Sequence, residues 1–180
     1  MGKPILAYII EKIEKIEAVD QIIIVTNDKF HLHFVNWLNH FSSKIPIKVL
    51  NDGTNSNENR LGAIGDIQFV IEQEEIEDDL LIVAGDNIFD FEISDMYDKF
   101  LEQGEKSKSV ISLYDVRTFT EAQKYGVVEL DEDEVIRGFL EKPEKPKSTL
   151  CSIGIYFYPQ RMVPLFKQYL DEGNNKDAPG

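Results

Sequence analysis

The sequence predicts an α/β protein. In its first half, short β-branched runs alternate with segments whose apolar residues recur at helical spacing. In its second half the period changes to two, the signature of strands with one face inward. The longest apolar runs, within 21–25 and 79–84, fall far short of the roughly 20 residues of a membrane span. At 180 residues the chain is sized for one domain, able to bury roughly 70 % of its unfolded surface.

The elements follow in order. Pro4 suits the start of a helix, and Leu6, Ile9, Ile10, Ile13 and Ile16 then mark its apolar stripe. Gln21 to Thr26 is continuous and β-branched, so it reads as a strand buried on both faces. Asn27 and Asp28 can cap a second helix with the stripe Phe30, Phe34, Trp37, Leu38 and Phe41. A short strand at Ile47 to Leu50 leads into the polar, turn-rich loop Asn51 to Arg60. Leu61 to Gln73 reads as a helix despite Gly62 and Gly65, and Leu80 to Ala84 as a second buried strand. That alternation predicts a parallel sheet with right-handed crossovers. Ser109 to Val116, Gly126 to Leu130, Val135 to Leu140 and Leu150 to Tyr158 are further strands, and Arg161 to Leu170 is a final helix. In the last strand Cys151, Ile153, Ile155 and Phe157 share one face, and Ser152, Gly154, Tyr156 and Tyr158 the other.

Charge and cysteine content narrow the function. The chain carries 33 acidic against 19 basic residues, a net charge of −14. Such a surface repels nucleic-acid backbones and anionic membranes, so neither is an expected partner. A 42 % hydrophobic content separates it from an acidic disordered tail. Cys151 is the lone cysteine, which excludes an internal disulfide and fits a reducing, cytoplasmic setting. His31 and His33, two apart on a predicted helix, diverge and cannot share a metal. No Ser/His/Asp or Cys/His arrangement emerges.

Several residues have types suited to chemistry. Asp86 directly follows a buried strand in Ala84-Gly85-Asp86-Asn87, and the carboxyl ends of strands are where open α/β sheets bind ligands. A carboxylate there suits Mg²⁺, which takes oxygen ligands and borrows others from phosphates; Asp and Asn after a strand are equally ordinary turn residues. Glu141-Lys142-Pro143 follows another strand, with Lys142 suited to a phosphate and Glu141 to hydroxyl donors. Read alone, the tripeptide is a charged, proline-stiffened turn. Gly126 opens a strand, either to let a ligand approach the backbone or to make a bulge. Gly62 and Gly65 allow the same two readings, and their spacing is neither a dinucleotide fingerprint nor a P-loop.

Four segments together resemble the sugar-1-phosphate nucleotidylyltransferase family, in particular its glucose-1-phosphate thymidylyltransferase-like branch. They are Val83-Ala84-Gly85-Asp86-Asn87-Ile88-Phe89, Lys124-Tyr125-Gly126-Val127-Val128-Glu129, Glu141-Lys142-Pro143 with Pro146-Lys147-Ser148, and Ile153-Gly154-Ile155-Tyr156-Phe157-Tyr158. Gly2-Lys3-Pro4 before an apolar helix is also similar, so the likeness spans nearly the whole chain. It implies a three-layer Rossmann-like nucleotide-diphospho-sugar transferase fold with a mixed sheet. It also implies a reaction in which a sugar 1-phosphate, glucose 1-phosphate first, attacks the α-phosphorus of a nucleoside triphosphate, with dTTP ahead of UTP. On this resemblance Asp86 holds Mg²⁺, Lys142 meets the sugar's phosphate, and Glu141 accepts from sugar hydroxyls. Gly126 lies along the sugar, Gly62 lies against the nucleobase, and Asp177 is a second metal carboxylate. The family's opening strand, its GxGTRL-type loop and its PK motif are not in this sequence. The expectation is therefore one incomplete domain over residues 1–180, truncated at both ends, with impaired activity, exposed strand edges and a symmetric homo-oligomer that covers them. The alternative is a non-catalytic nucleotidyltransferase-like domain with a regulatory or assembly role.

Overall fold

The computed structural model describes residues 2–103 and 108–177; residues 1, 104–107 and 178–180 lie outside that description. The chain runs α1 (Ile5–Ile13), β1 (Ile22–Thr26), α2 (Asp28–Leu38), β2 (Ile47–Asn51), α3 (Ala63–Glu74), β3 (Leu80–Val83) and α4 (Ile93–Glu102). It continues with β4 (Val110–Asp115), α5 (Phe119–Ala122), β5 (Gly126–Leu130), β6 (Ile136–Glu141), β7 (Leu150–Tyr158), a 3₁₀ turn (Gln160–Met162) and α6 (Val163–Asp171). The helix α4, not anticipated from the sequence, carries Ile93, Met96, Tyr97 and Phe100 at helical spacing and buries Ile93, Met96 and Phe100.

The strands form two sheets. β1 and β2 pair in parallel, from Ile22 opposite Ile47 to Thr26 opposite Asn51. The second sheet is antiparallel and built around β7, the longest strand at 9 residues. β4 takes one edge of β7, while β3 and β5 share the other. β3 pairs with its far end, where Val83 lies opposite Ile155, and β5 reaches its near end, where Val127 lies opposite Cys151. β6 closes the sheet on β5.

Among the described residues parallel pairing is thus confined to β1–β2, and β3 does not join it. The expectation that β1 and β3 are buried on both faces is corrected: in β1 Ile22 alone is buried, and β3 has no fully buried residue. Among the described residues each pairs with a single neighbour, β1 with β2 and β3 with β7, so their other edges leave backbone and flanking side chains partly open.

One apolar core lies beneath both sheets. Ile9, Ile10, Ile13 and Ile16 from the first helix and its exit pack with Ile93, Met96 and Phe100 of α4 and Ile155 and Phe157 of β7. Ile22 and Ile24 of β1, Ile47 of β2 and Leu81 and Val83 of β3 join the same cluster. In β7 Ile153, Ile155 and Phe157 face this core as the sequence predicts, but Cys151, expected with them, packs in a separate cluster with Ala122, Val127 and Val116, beyond the irregularity at Gly154. The opposite face carries Tyr156 and Tyr158, whose rings stack at 5.7 Å, and Tyr158 meets Phe166 of α6 edge-on at 5.1 Å. Helices therefore cover both faces, the three-layer arrangement expected. In α2, Asn27 caps as anticipated, its Oδ1 accepting from the Phe30 N–H at 3.2 Å, but Phe30 itself is exposed. Trp37 and Phe41, stacked at 4.6 Å, make the helix's contact with the core. No helix among the described residues is long and apolar enough to cross a membrane.

Truncating Ile155, which is fully buried, to alanine should destabilise the chain by about 2–5 kcal/mol in urea unfolding, from lost transfer energy plus a cavity. The same truncation at half-exposed Leu140 on β6 should stay within about 0.5 kcal/mol.

Candidate active site

The site is set by how two strands share one edge of β7. β3 and β5 are both antiparallel to β7, so they run in the same direction, end to end. Their last and first pairings fall at Ile155 and Cys151, four residues apart, or about 13 Å of strand. The carboxyl end of β3 thus faces the start of β5 across a break in the sheet, opposite Ser152, Ile153 and Gly154. Backbone that turns away from a ladder there is free to carry ligand-binding groups.

Gly154 lies in this break. Its φ of +71° is left-handed, and a methyl group on it would lie 2.8 Å from the Ala84 Cβ. Its carbonyl still accepts from the Ala84 N–H at 2.8 Å, so the chain leaving β3 is held to the break itself. Asn87 adds a second tie, donating from Nδ2 to the Ile153 carbonyl. Asp86, between these two anchors, is exposed to solvent. Asn87 was not singled out from the sequence, since its role depends on a carbonyl 66 residues away.

On the β5 side, Gly126 pairs directly with Glu141 of β6. A side chain at Gly126 would strike the Phe139 ring at 2.6 Å and stand 3.0 Å from Glu141 Oε2. The glycine is therefore required by Phe139 and by the approach of the Glu141 carboxylate. Lys142 follows in a left-handed conformation, φ +46°, its N–H bonded to the Tyr125 carbonyl at 3.0 Å. Such a backbone costs on the order of 1 kcal/mol or more for a residue with a Cβ, and here it turns the ammonium back to within 3.4 Å of Glu141 Oε1. Both side chains are open to solvent, so this pair leaves them available to a ligand. Tyr156 lies nearby on the same sheet face: its Oη is 2.8 Å from Ser152 Oγ. Burial holds the Tyr156 phenol above its ordinary range, with the Glu141 charge adding to the effect. The polar alternation of β7 is the signal that points to this pair.

Gly62 and Asp177 form a second group. Gly62 caps α3 with φ +80° and no side chain to offer, so the Ile64 N–H is satisfied by the Lys176 carbonyl at 3.0 Å. Asp177 Oδ2 pairs with Arg60 Nη2 at 2.7 Å, and a methyl at Gly62 would meet its Oδ1 at the same distance. Arg60 was not anticipated from the sequence. Asp66, in the first turn of α3, has its carboxyl pushed up to about 6 by burial first, and then by the charges of Asp52 and Asp177. Its Oδ1 is buried without a hydrogen-bond partner, while Asp52 accepts from the Thr54 N–H at 2.7 Å and the Thr54 hydroxyl at 3.0 Å.

For a divalent cation the donor chemistry is that of Mg²⁺. Among the described residues no group of three or more His, Cys, Asp or Glu side chains could enclose an ion. An exposed carboxylate at the strand end fits an ion that takes one or two carboxylates and fills its remaining positions with water and phosphate oxygens.

A parallel strand pair and an antiparallel sheet packed on one core between helices define an α/β protein, a class in which strand ends beside a break are where ligands bind. The comparisons make the assignment specific. The sequence profile of the nucleotidyl transferase family matches residues 1–179, and the chain belongs to that family. It is 31 % identical over 168 residues to the bifunctional protein GlmU of Methanocaldococcus jannaschii, a match covering 93 % of this chain and 35 % of that protein. It is 38 % identical over 92 residues to a glucose-1-phosphate adenylyltransferase of Bacillus subtilis, covering 51 % of this chain and 23 % of that one. A Bacillus anthracis structure assigned as a glucose-1-phosphate thymidylyltransferase, in complex with a sucrose, superposes with a TM-score of 0.70. At 21 % identity over 96 % of this chain and 63 % of that one, it establishes the shared fold. The chain spans about a third of the length of the GlmU relative.

Because the Asp66 carboxyl holds its proton to about 6 when folded, against 3.8 ordinarily, the folded state binds the extra proton between those values. Stability should therefore decline as pH rises from about 4 to about 7, by roughly 1 kcal/mol once solvent screening of this half-buried group is allowed for. Chemical denaturation across that range should show the decline in the native chain and its loss in Asp66→Asn.

Proposed function

We propose that this chain is the catalytic core of a sugar-1-phosphate nucleotidylyltransferase, joining a nucleoside triphosphate to a sugar 1-phosphate. A phosphate oxygen of the sugar attacks the α-phosphorus, the bond from that phosphorus to the β-phosphate bridge breaks, and pyrophosphate leaves with its electron pair. The observation that carries this reading is the break along β7, where β3, whose exit leads to Asp86, ends on one side and Gly126 with Glu141 begins on the other. Family membership supports the reaction class.

Each residue's part follows from its chemistry. The Lys142 ammonium, held in place by the left-handed turn, neutralises the sugar's phosphate as it approaches a second anionic phosphate. Glu141 is acceptor-only when ionised, so it orients sugar hydroxyls. Gly126 lets the Glu141 carboxylate approach the strand edge along which the sugar would lie. Gly62 borders the nucleobase. Asp86 would hold the Mg²⁺, which when bound offsets the triphosphate's charge. The Asp177 carboxylate, the other residue the resemblance offers to a metal, is engaged by Arg60 in this conformation. Such chemistry consists mostly of positioning and charge neutralisation, so an acidic chain is no obstacle to it.

The substrates are finer proposals. dTTP with glucose 1-phosphate is our first pair, supported by the assignment of the structural neighbour; ATP comes next, because adenylyltransferases are among the relatives. Titration calorimetry with dTTP, UTP, ATP and dTDP-glucose should give Mg²⁺-dependent binding, weakened about tenfold or more by Asp86→Ala and by Lys142→Ala. A folded chain that binds none of them would instead favour the non-catalytic, regulatory or assembly reading. A symmetric dimer covering the open edges of β1 and β3 is also proposed. Light scattering should then show a mass near twice 20.7 kDa at micromolar concentration, and a monomer throughout would exclude it.

A further inference from the structure

The loop that carries Asp86 is tied down at both ends, and the far end is held by a lysine that the proposed reaction leaves idle. At the near end stand the bonds from the Ala84 N–H and from Asn87 to β7. Past Asn87 the loop exposes Ile88 and Asp90, while Phe89 and Phe91, their rings 4.8 Å apart, pack against the core. Lys12 of α1 takes hold there. Its Nζ donates to the Phe91 carbonyl at 2.7 Å, stands 3.4 Å from Glu92 Oε1 and lies 5.6 Å from the centre of the Phe89 ring. Lys15 donates to the other oxygen of Glu92 at 2.8 Å. The Lys12 side chain is 19 % exposed against 54 % for Lys15, so its charge is largely out of water and depends on these partners. Glu92 is the N-cap residue of α4, yet its carboxylate caps no amide of that helix and turns to the two lysines instead. Their company holds the Glu92 carboxyl below its ordinary range, the Lys15 hydrogen bond first.

We propose that Lys12 is a positioning residue for the metal carboxylate: by holding Phe91 and Glu92 it fixes the loop, and with it the place at which Asp86 meets Mg²⁺. The inference rests on the metal role given to Asp86 above. The physical case is one of tethers. Only a short exposed span separates Asn87 from Phe91. Without the Lys12 tie, the downstream side of Asp86 is restrained by the Asn87 side-chain hydrogen bond, a modest restraint by itself. A carboxylate that wanders loses affinity for an ion that demands near-octahedral geometry. The alternative role for this cluster is to dock α4 on α1 and no more, and the two roles part in the response to metal.

Titration calorimetry with dTTP, in EDTA and in excess Mg²⁺, reads the factor by which the metal tightens binding. Lys12→Met, which keeps the stem and removes the charge, should cut that factor about fivefold and leave the metal-free affinity unchanged. The isosteric Glu92→Gln should cut it in the same direction, and Lys12→Arg should restore it. In an Asp86→Ala background Lys12→Met should change nothing further, because both substitutions act through one carboxylate. Without any ligand, NMR order parameters of the 86–91 amides should fall in Lys12→Met, while that of Ala84 keeps its native value. Equal loss of metal-free and metal-bound affinity, an effect that persists on Asp86→Ala, or no effect at all overturns the positioning role. Nucleotide binding by the native chain with no response to Mg²⁺ overturns the metal role of Asp86 and this inference with it. Absence of nucleotide binding by the folded native chain overturns the nucleotidylyltransferase reading itself.

Discussion

The apolar layer shared by the two sheets is the interaction on which the rest depends. β1–β2 and the β7-centred sheet exchange no ladder hydrogen bonds among the described residues, so backbone pairing does not set their relation. What joins them is side-chain burial: Ile10, Ile93 and Ile155 are fully buried, and the cluster around them draws from α1, α4, β1, β2, β3 and β7. Burying each such side chain contributes about 1.5–3 kcal/mol, and close packing makes the contribution specific to shape. Without that layer the strand ends would have no common frame.

The second constraint is the length of β7. Nine residues exceed what β3 alone can cover, so a further strand takes the remainder of the same edge. The break between β3 and β5 is therefore a consequence of strand lengths, and the left-handed Gly154 accommodates it. Placing Asp86 at one lip and Gly126 with Glu141 at the other requires no long-range loop. The short ties from Asn87 and Ala84 to β7 hold the segment that carries Asp86 against the break. Rigid elements hold the groups, and solvent-exposed side chains leave them free to exchange water for ligand.

Charge works locally against the global balance. The chain is strongly acidic, and Lys142 and Arg60 are each answered by a carboxylate of the same chain, Glu141 and Asp177 respectively. Exposed pairs of this kind contribute at most about 1 kcal/mol, which makes them provisional partners. At the start of α3 the acidic groups crowd further. Asp66 keeps its proton into the mildly acidic range because burial and the charges of Asp52 and Asp177 oppose its ionisation.

The sequence by itself determined the strands and most helices, because a period of two or 3.6 is written locally in β7 and α1. It also determined which residue types stood after which strands, so Asp86, Gly126, Glu141 and Lys142 were legible as candidates. It overstated the burial of β1 and β3, since an apolar run reports what a strand could bury and says nothing of whether a neighbour pairs with its edge. It missed α4, although Ile93, Met96, Tyr97 and Phe100 stand at helical spacing, and it missed Arg60 and Asn87, whose partners lie 117 and 66 residues away. Only the tertiary structure decided that β3 and β5 meet end to end, that Phe139 and Glu141 take the space beside Gly126, and that Lys176 and Asp177 lie against Gly62. Those facts are matters of register and long-range packing. They arise when the shared core fixes which edges and ends face one another, and no local pattern encodes that.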